Sequence, residues 1–301
     1  MKILIIWFLF ELLISSVENF MRLDCACGES NIFGPKRIVN GQEVLPHFYP
    51  WIAVMLSPKG NHVCSGSIVS DRMILTAGHC VYYSKEPLEI KWMVALHSVS
   101  KSKALPENIY KTVLFQLHPK FLSAKLFDSY DLALVTVDRP ITFNEFTTPI
   151  CLPEPYEHMR YFNKKVIIAG WGKIQNLRDS PVSDVLLESR VILKTPEMCK
   201  LLTGIVGYND RSMICAHEYH TDACGGDSGG PMFVETKANR YVILGVISFG
   251  EGCATQYPGI YAKVDEPETL LWLKTSLKGD ICYDPPIRRF SRIFLYNDEF
   301  Q

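Results

Sequence analysis

Ser228 lies in the run Asp222-Ala223-Cys224-Gly225-Gly226-Asp227-Ser228-Gly229-Gly230-Pro231. Glycine allows tight turns and close approach of another group to the backbone. That setting lets the N–H groups of Gly226 and Ser228 converge on a developing oxyanion. A serine hydroxyl is a poor nucleophile alone and needs a base, and the base needs an orienter. Two other segments supply candidates. Leu75-Thr76-Ala77-Gly78-His79-Cys80 offers a histidine among small residues and beside a cysteine. Asp131-Leu132-Ala133-Leu134-Val135 offers an aspartate at the head of an apolar strand. The other seven of the chain's eight histidines have no comparable setting. The chemistry these residue types suit is acyl transfer by a serine nucleophile that has a base and an orienter.

The elements that must position them read as strands. Short apolar runs are punctuated by Gly, Pro, Asn and Asp. Val166–Ala169, Val191–Leu193 and Tyr241–Ile247 are rich in β-branched residues. Many short strands with turn signals point to an all-β chain closed into barrels, which hides the strand edges. A helix is expected near the end. Asp265 reads as its N-cap, with Pro267 in the first turn and Glu268 at the capping-box position. Leu270, Leu273 and Leu277 share its apolar face, and Gly279 can stop it.

The chain has 301 residues, of which 48% are hydrophobic and 21% charged, the mark of a folded globular protein. A formal net charge of -1 argues against nucleic acid as a main partner. The N-terminus carries Lys2, the apolar run Ile3–Phe10, then Glu11. That run is too short to span a membrane, and residues 1–16 fit a signal peptide cut after Ser16. A secreted, extracellular chain with no membrane partner is the expectation. Ten cysteines agree with an oxidising compartment, and their spacing does not suit zinc. No Asn-x-Ser/Thr sequon occurs.

In these motifs, and in the order His79, Asp131, Ser228, the chain resembles the trypsin-like serine endopeptidases of the chymotrypsin family. The resemblance runs from Arg37-Ile38-Val39-Asn40-Gly41 to the helix near Leu273. It implies two antiparallel Greek-key six-stranded β-barrels with a C-terminal helix. His79 and Asp131 then belong to the first barrel and Ser228 to the second. The family's own triad is the general template for the roles, with His79 as base then acid and Asp131 fixing its tautomer. Ser248 matches a serine that relatives place close to the aspartate.

The resemblance also places Asp222, six residues before Ser228, at the floor of a pocket for Arg or Lys side chains. Gly250 and Gly259 match glycines that keep the pocket open, and Phe249 replaces the commoner tryptophan on its wall. Ala223 stands where many relatives carry serine, which favours Arg over Lys. Residues 17–37 read as a propeptide, 38–278 as the peptidase domain and 279–301 as a C-terminal tail, either flexible or a partner-binding segment. Cleavage after Arg37 frees the ammonium of Ile38 to pair with Asp227, so the uncut chain reads as a zymogen.

The implied bridges are Cys64–Cys80, Cys199–Cys215 and Cys224–Cys253. Cys151 takes Cys27, with Cys25–Cys282 as a second clamp, or the pairing is swapped to Cys25–Cys151 and Cys27–Cys282. Val166 and Val234 replace one further family bridge and are expected to pack together. His217 and His220 read as a solvated pair, so neither a metal nor a cofactor is expected. Expected partners are protein or peptide substrates with Arg or Lys before the cleaved bond, and protein protease inhibitors. The chain is expected to act as a monomer. The competing reading is a catalytically inactive homologue with a binding or regulatory role.

Overall fold

The structure is a computed structural model that describes residues 27–30, 42–84, 87–97, 105–123, 129–173, 180–203, 208–219, 223–253 and 255–278. Arg37, Ile38, Asp222, His220, Cys25, Cys282, the signal segment and the tail lie outside the described residues.

Six antiparallel strands close the first barrel. They are β2 (Ile52–Leu56), β3 (His62–Ile68), β4 (Met73–Thr76), β5 (Lys91–Met93), β6 (Ile109–Leu117) and β7 (Ala133–Val137), in the order β2-β3-β4-β7-β6-β5. Pairing of Val54 with Met93 closes the ring. The second barrel uses β8 (Lys165–Gly170), β9 (Leu187–Leu193), β10 (Met213–His217), β11 (Pro231–Glu235), β12 (Tyr241–Phe249) and β13 (Gly259–Lys263). Met232 opposite Ile168 closes it, and the short β1 (Gln42–Glu43) adds to β9. Closure leaves few unpaired strand edges. The expected two six-stranded barrels are therefore present, and β8, β9 and β12 cover the three β-branched runs.

The barrels are joined by aromatic packing. The rings of Tyr49 and Trp51, just before β2, meet Phe233 of β11 and Tyr241 of β12 at centroid distances of 4.9 Å (Tyr49–Phe233) and 5.1 Å (Trp51–Tyr241). Such pairs add about 0.5–1.5 kcal/mol each beyond area burial. This seam fixes the two barrels relative to each other, and the cleft between them holds the candidate residues.

Four disulfides join described residues: Cys27–Cys151, Cys64–Cys80, Cys199–Cys215 and Cys224–Cys253. The Cys27–Cys151 pairing rules out the swapped alternative. The segment beside Cys27 is also held without the bridge. Gly28 N–H donates to the Pro149 carbonyl and its own carbonyl accepts from Tyr241 N–H. Gly28 has φ +62°, and a Cβ there would lie 2.3 Å from the Tyr241 carbonyl oxygen, so only glycine fits. Val166 and Val234 are both buried in one apolar cluster. They lie next to the β8–β11 pairing of Met232 with Ile168 and Phe233 with Ile167.

Three α-helices are present among the described residues: α1 (Gly78–Tyr82), α2 (Pro196–Thr203) and α3 (Pro267–Ser276). Leu270, Leu273 and Leu277 bury the inner face of α3 as its spacing predicts. Its N-cap differs from the expectation. Glu266 is the cap, its carboxylate accepting the Thr269 N–H at 2.9 Å. Asp265 is fully buried and committed elsewhere. It accepts the His158 backbone N–H at 2.6 Å and the His158 Nδ1–H at 2.6 Å. That long-range partner took Asp265 out of the local capping competition.

Candidate active site

The site begins where β4 runs into α1. Thr76 ends β4, Ala77 stays extended, and His79 falls in the first turn of α1. The Cys64–Cys80 bridge ties α1 to β3 beside it. Asp131 stands two residues before β7 and is 1% exposed. Its carboxylate is spoken for on both oxygens. Oδ1 accepts the His79 backbone N–H at 2.8 Å, and Oδ2 accepts His79 Nδ1–H at 2.7 Å. Ser248 Oγ–H, from β12 of the other barrel, also donates to Oδ2 at 2.5 Å. A buried carboxylate is tolerable only with such donors. The Nδ1–H bond fixes the imidazole tautomer and leaves Nε2 as the basic nitrogen.

Ser228 comes from the loop between β10 and β11, and first-barrel residues hold that loop. Ser65 N–H donates to the Ser228 carbonyl at 2.7 Å. Ser65 Oγ–H donates to the Gly226 carbonyl at 3.3 Å, and Thr76 Oγ1–H to the Ser65 carbonyl at 2.7 Å. Gly229, at φ +82°, lies so close that a Cβ would sit 2.2 Å from Thr76 Oγ1. Sequence reasoning missed Ser65 and Thr76. Thr76 lies in the histidine motif, but nothing in the spacing shows that it faces the serine loop. The N–H groups of Gly226 and Ser228 donate to no acceptor among the described residues.

Asp227 turns away from the cleft. Its carboxylate accepts N–H bonds from Gly172 at 2.7 Å and Cys224 at 2.9 Å. A Cβ on Gly170 or Gly172 would lie 2.1 or 2.3 Å from its oxygens, so both glycines are needed to admit it. The residue keeps some exposed surface, but its carboxyl is enclosed. Burial pushes the group up to about 6, against the two N–H bonds that favour the ionised form.

A cavity of about 250 Å³ opens beside Ser228. Ala223, Ser248, Phe249, Gly250 and Gly259 all line it, so the structure brings together the described residues expected in the pocket. A Cβ on Gly250 would point across it, 3.8 Å from Gly259 Cα. The Cys224–Cys253 bridge joins its two walls. His217 Nε2 is engaged with the Thr255 carbonyl oxygen at 3.2 Å. Cys64, His79 and Cys80 also lie close enough to share an ion, but the two cysteines form a disulfide and offer no thiolate.

A family model described as Trypsin matches residues 38–272. The chain belongs to the trypsin family. The human transmembrane protease serine 11B is 30% identical over 270 residues, covering 88% of this chain and 62% of that protein. Coagulation factor IX of Cavia porcellus is 33% identical over 233 residues, covering 76% of this chain and 78% of that protein. Phenoloxidase-activating factor 1 of Holotrichia diomphalia is 29% identical over 253 residues, covering 76% of this chain and 67% of that protein. The chain thus spans less than two thirds of the length of its human relative. Trypsin-family membership accounts for the two barrels. Among the described residues, no helix is long and apolar enough to cross a membrane.

Proposed function

We propose that this chain is a secreted serine endopeptidase, made as a zymogen, that hydrolyses protein and peptide bonds after Arg and, less well, Lys. The observation that carries this reading is the Asp131 carboxylate. It is gripped from one barrel by His79 and from the other by Ser248, beside a cavity that Ser228 lines. A buried network of this kind, reaching across a cleft, goes beyond what packing needs.

In the proposed reaction His79 Nε2 takes the Ser228 proton as the hydroxyl oxygen attacks the scissile carbonyl. The Gly226 and Ser228 N–H groups bind the oxyanion, which is why their lack of acceptors among the described residues supports the reading. His79 then protonates the leaving amine, and water hydrolyses the acyl-enzyme by the same path in reverse. Asp131 holds the imidazole and stabilises its cationic form.

Cleavage after Arg37 would free the Ile38 ammonium to pair with Asp227. The raised Asp227 carboxyl supports this step, because a buried acid with two N–H donors and no cation among the described residues is an incomplete site. Asp222 is proposed to meet the substrate cation at the cavity floor, with protein protease inhibitors competing for the same cleft. Ala223 offers no hydroxyl to a shorter ammonium, which favours the guanidinium.

Matched peptides that differ only in the residue before the bond test the specificity. After cutting at Arg37, kcat/KM is expected to be highest for Arg, lower for Lys, and at least about a hundredfold lower for Phe. Equal values for Arg and Phe overturn the pocket reading.

A further inference from the structure

His217 ends β10, where the chain leaves the barrel for the 218–223 segment that leads to the cavity wall. It is 9% exposed, and its Nε2 lies 3.2 Å from the Thr255 carbonyl oxygen. A carbonyl only accepts, so the proton is on Nε2. Tyr219 meets the ring edge-on at 5.1 Å and 87°. Burial and the nearby Lys194 charge lower the His217 pKa, with Glu218 opposing them, so the ring is neutral near pH 7.

Thr255 is itself fixed. Its Oγ1–H donates to the Glu251 carbonyl at 2.9 Å and accepts the Tyr257 N–H at 3.2 Å. Within the stretch from Glu251 to Tyr257, both ends are therefore held to Thr255, whose carbonyl is turned to β10. Gly252 and Cys253 of this segment line one wall of the cavity, and Ala223 and Cys224 line another. The Cys224–Cys253 bridge joins these walls at one end. The His217 bond to Thr255 ties the wall that carries Gly252 and Cys253 to the end of β10.

We propose that His217 is a positioning residue for substrate specificity: its Nε2–H bond to Thr255 holds the cavity wall that carries Gly252 and Cys253 against the end of β10. The proposal rests on the reading of this cavity as the site for the substrate's Arg or Lys side chain. With the bond gone, the wall that carries Gly252 and Cys253 loses its tie to β10 and can shift outward. The loss falls on binding in the cavity. Ser228 and His79 are held by other contacts, from Ser65 and Asp131.

The test compares His217→Phe, which keeps a ring but no donor, with His217→Gln, which restores an N–H of similar reach. Both are measured in the full chain cut at Arg37. Benzamidine, an aryl amidine small enough to fill the cavity alone, reports on the walls through its Ki. A fluorophosphonate probe reports on Ser228 through its labelling rate. His217→Phe is expected to raise Ki and the KM for an Arg peptide by about tenfold, leaving kcat and labelling within about twofold. His217→Gln is expected to recover most of the loss. An unchanged Ki in His217→Phe, or equal losses of Ki and labelling rate, overturns the proposal. If the unmutated chain labels but does not bind benzamidine, the cation reading of the cavity fails. The KM of the preferred peptide in the same two variants then decides the role of His217.

Discussion

Asp131 concentrates the demands of the site in one side chain. It is buried, ionisable and distant in sequence from every partner, so each donor has a specific cost if lost. Ser248→Ala removes one donor and leaves both His79 bonds. Losing one hydrogen bond to a charged group is worth about 1.5–3 kcal/mol, so kcat/KM is expected to fall by roughly tenfold to a hundredfold. Asp131→Asn puts a donor where the imidazole N–H needs an acceptor. The family's own template assigns about 10⁴-fold to that change. Steady-state kinetics on the two variants gives the ranking, and a Ser248→Ala loss as large as that of Asp131→Asn contradicts it.

Asp227 makes a separate prediction about pH. Its carboxyl is raised to about 6 in the uncut chain, against about 3.9 in an unfolded one. A raised acid binds its proton more tightly when folded. Its contribution to stability is thus full below about pH 4 and is lost as pH rises through about 6. Melting temperatures of the uncut chain and of Asp227→Asn, measured from pH 4 to 7.5, isolate the effect as a difference. The unmutated chain is expected to lose several degrees relative to the variant across that window. Parallel curves contradict the assignment.

At the scale of elements, α3 shows where local signals mislead. Asp, Pro and Glu at 265, 267 and 268 suggest a cap at Asp265. The residue one place on, Glu266, caps the helix, because Asp265 is claimed by His158. The two acids therefore have different costs. Glu266→Ala removes a cap and is expected to destabilise by about 1 kcal/mol. Asp265→Ala leaves His158 buried with its N–H groups unpaired and is expected to cost about 1–3 kcal/mol or more. Denaturant unfolding of both variants checks the order.

The same contrast explains what was legible in the sequence. His79, Asp131 and Ser228 stood out because each sits in a local motif. The strands β8, β9 and β12 announced themselves by composition. Ser65, Thr76 and Thr255 did not, since their partners lie 11 to 163 residues away and nothing local marks them. Of the site contacts, spacing revealed the residue types, while only the folded chain revealed which faces meet.

For the whole molecule, the two barrels matter because neither holds a complete site. His79 and Asp131 come from one, Ser228 and Ser248 from the other, and the Tyr49, Trp51, Phe233 and Tyr241 seam keeps them in register. The Cys27–Cys151 bridge and the Gly28 hydrogen bonds tie residues 27 and 28 to Cys151, Pro149 and Tyr241 of β12. Cutting at Arg37 is then expected to leave a two-chain protein. The most direct test of the account is fluorophosphonate labelling of the chain before and after that cut, with the labelled residue located by peptide mass spectrometry. The account predicts weak labelling of the uncut chain, rapid stoichiometric labelling of Ser228 once Ile38 is the new N-terminus, and none in Ser228→Ala. Folded, correctly cut protein that does not label at Ser228 would contradict it and leave a trypsin-family protein without a working nucleophile.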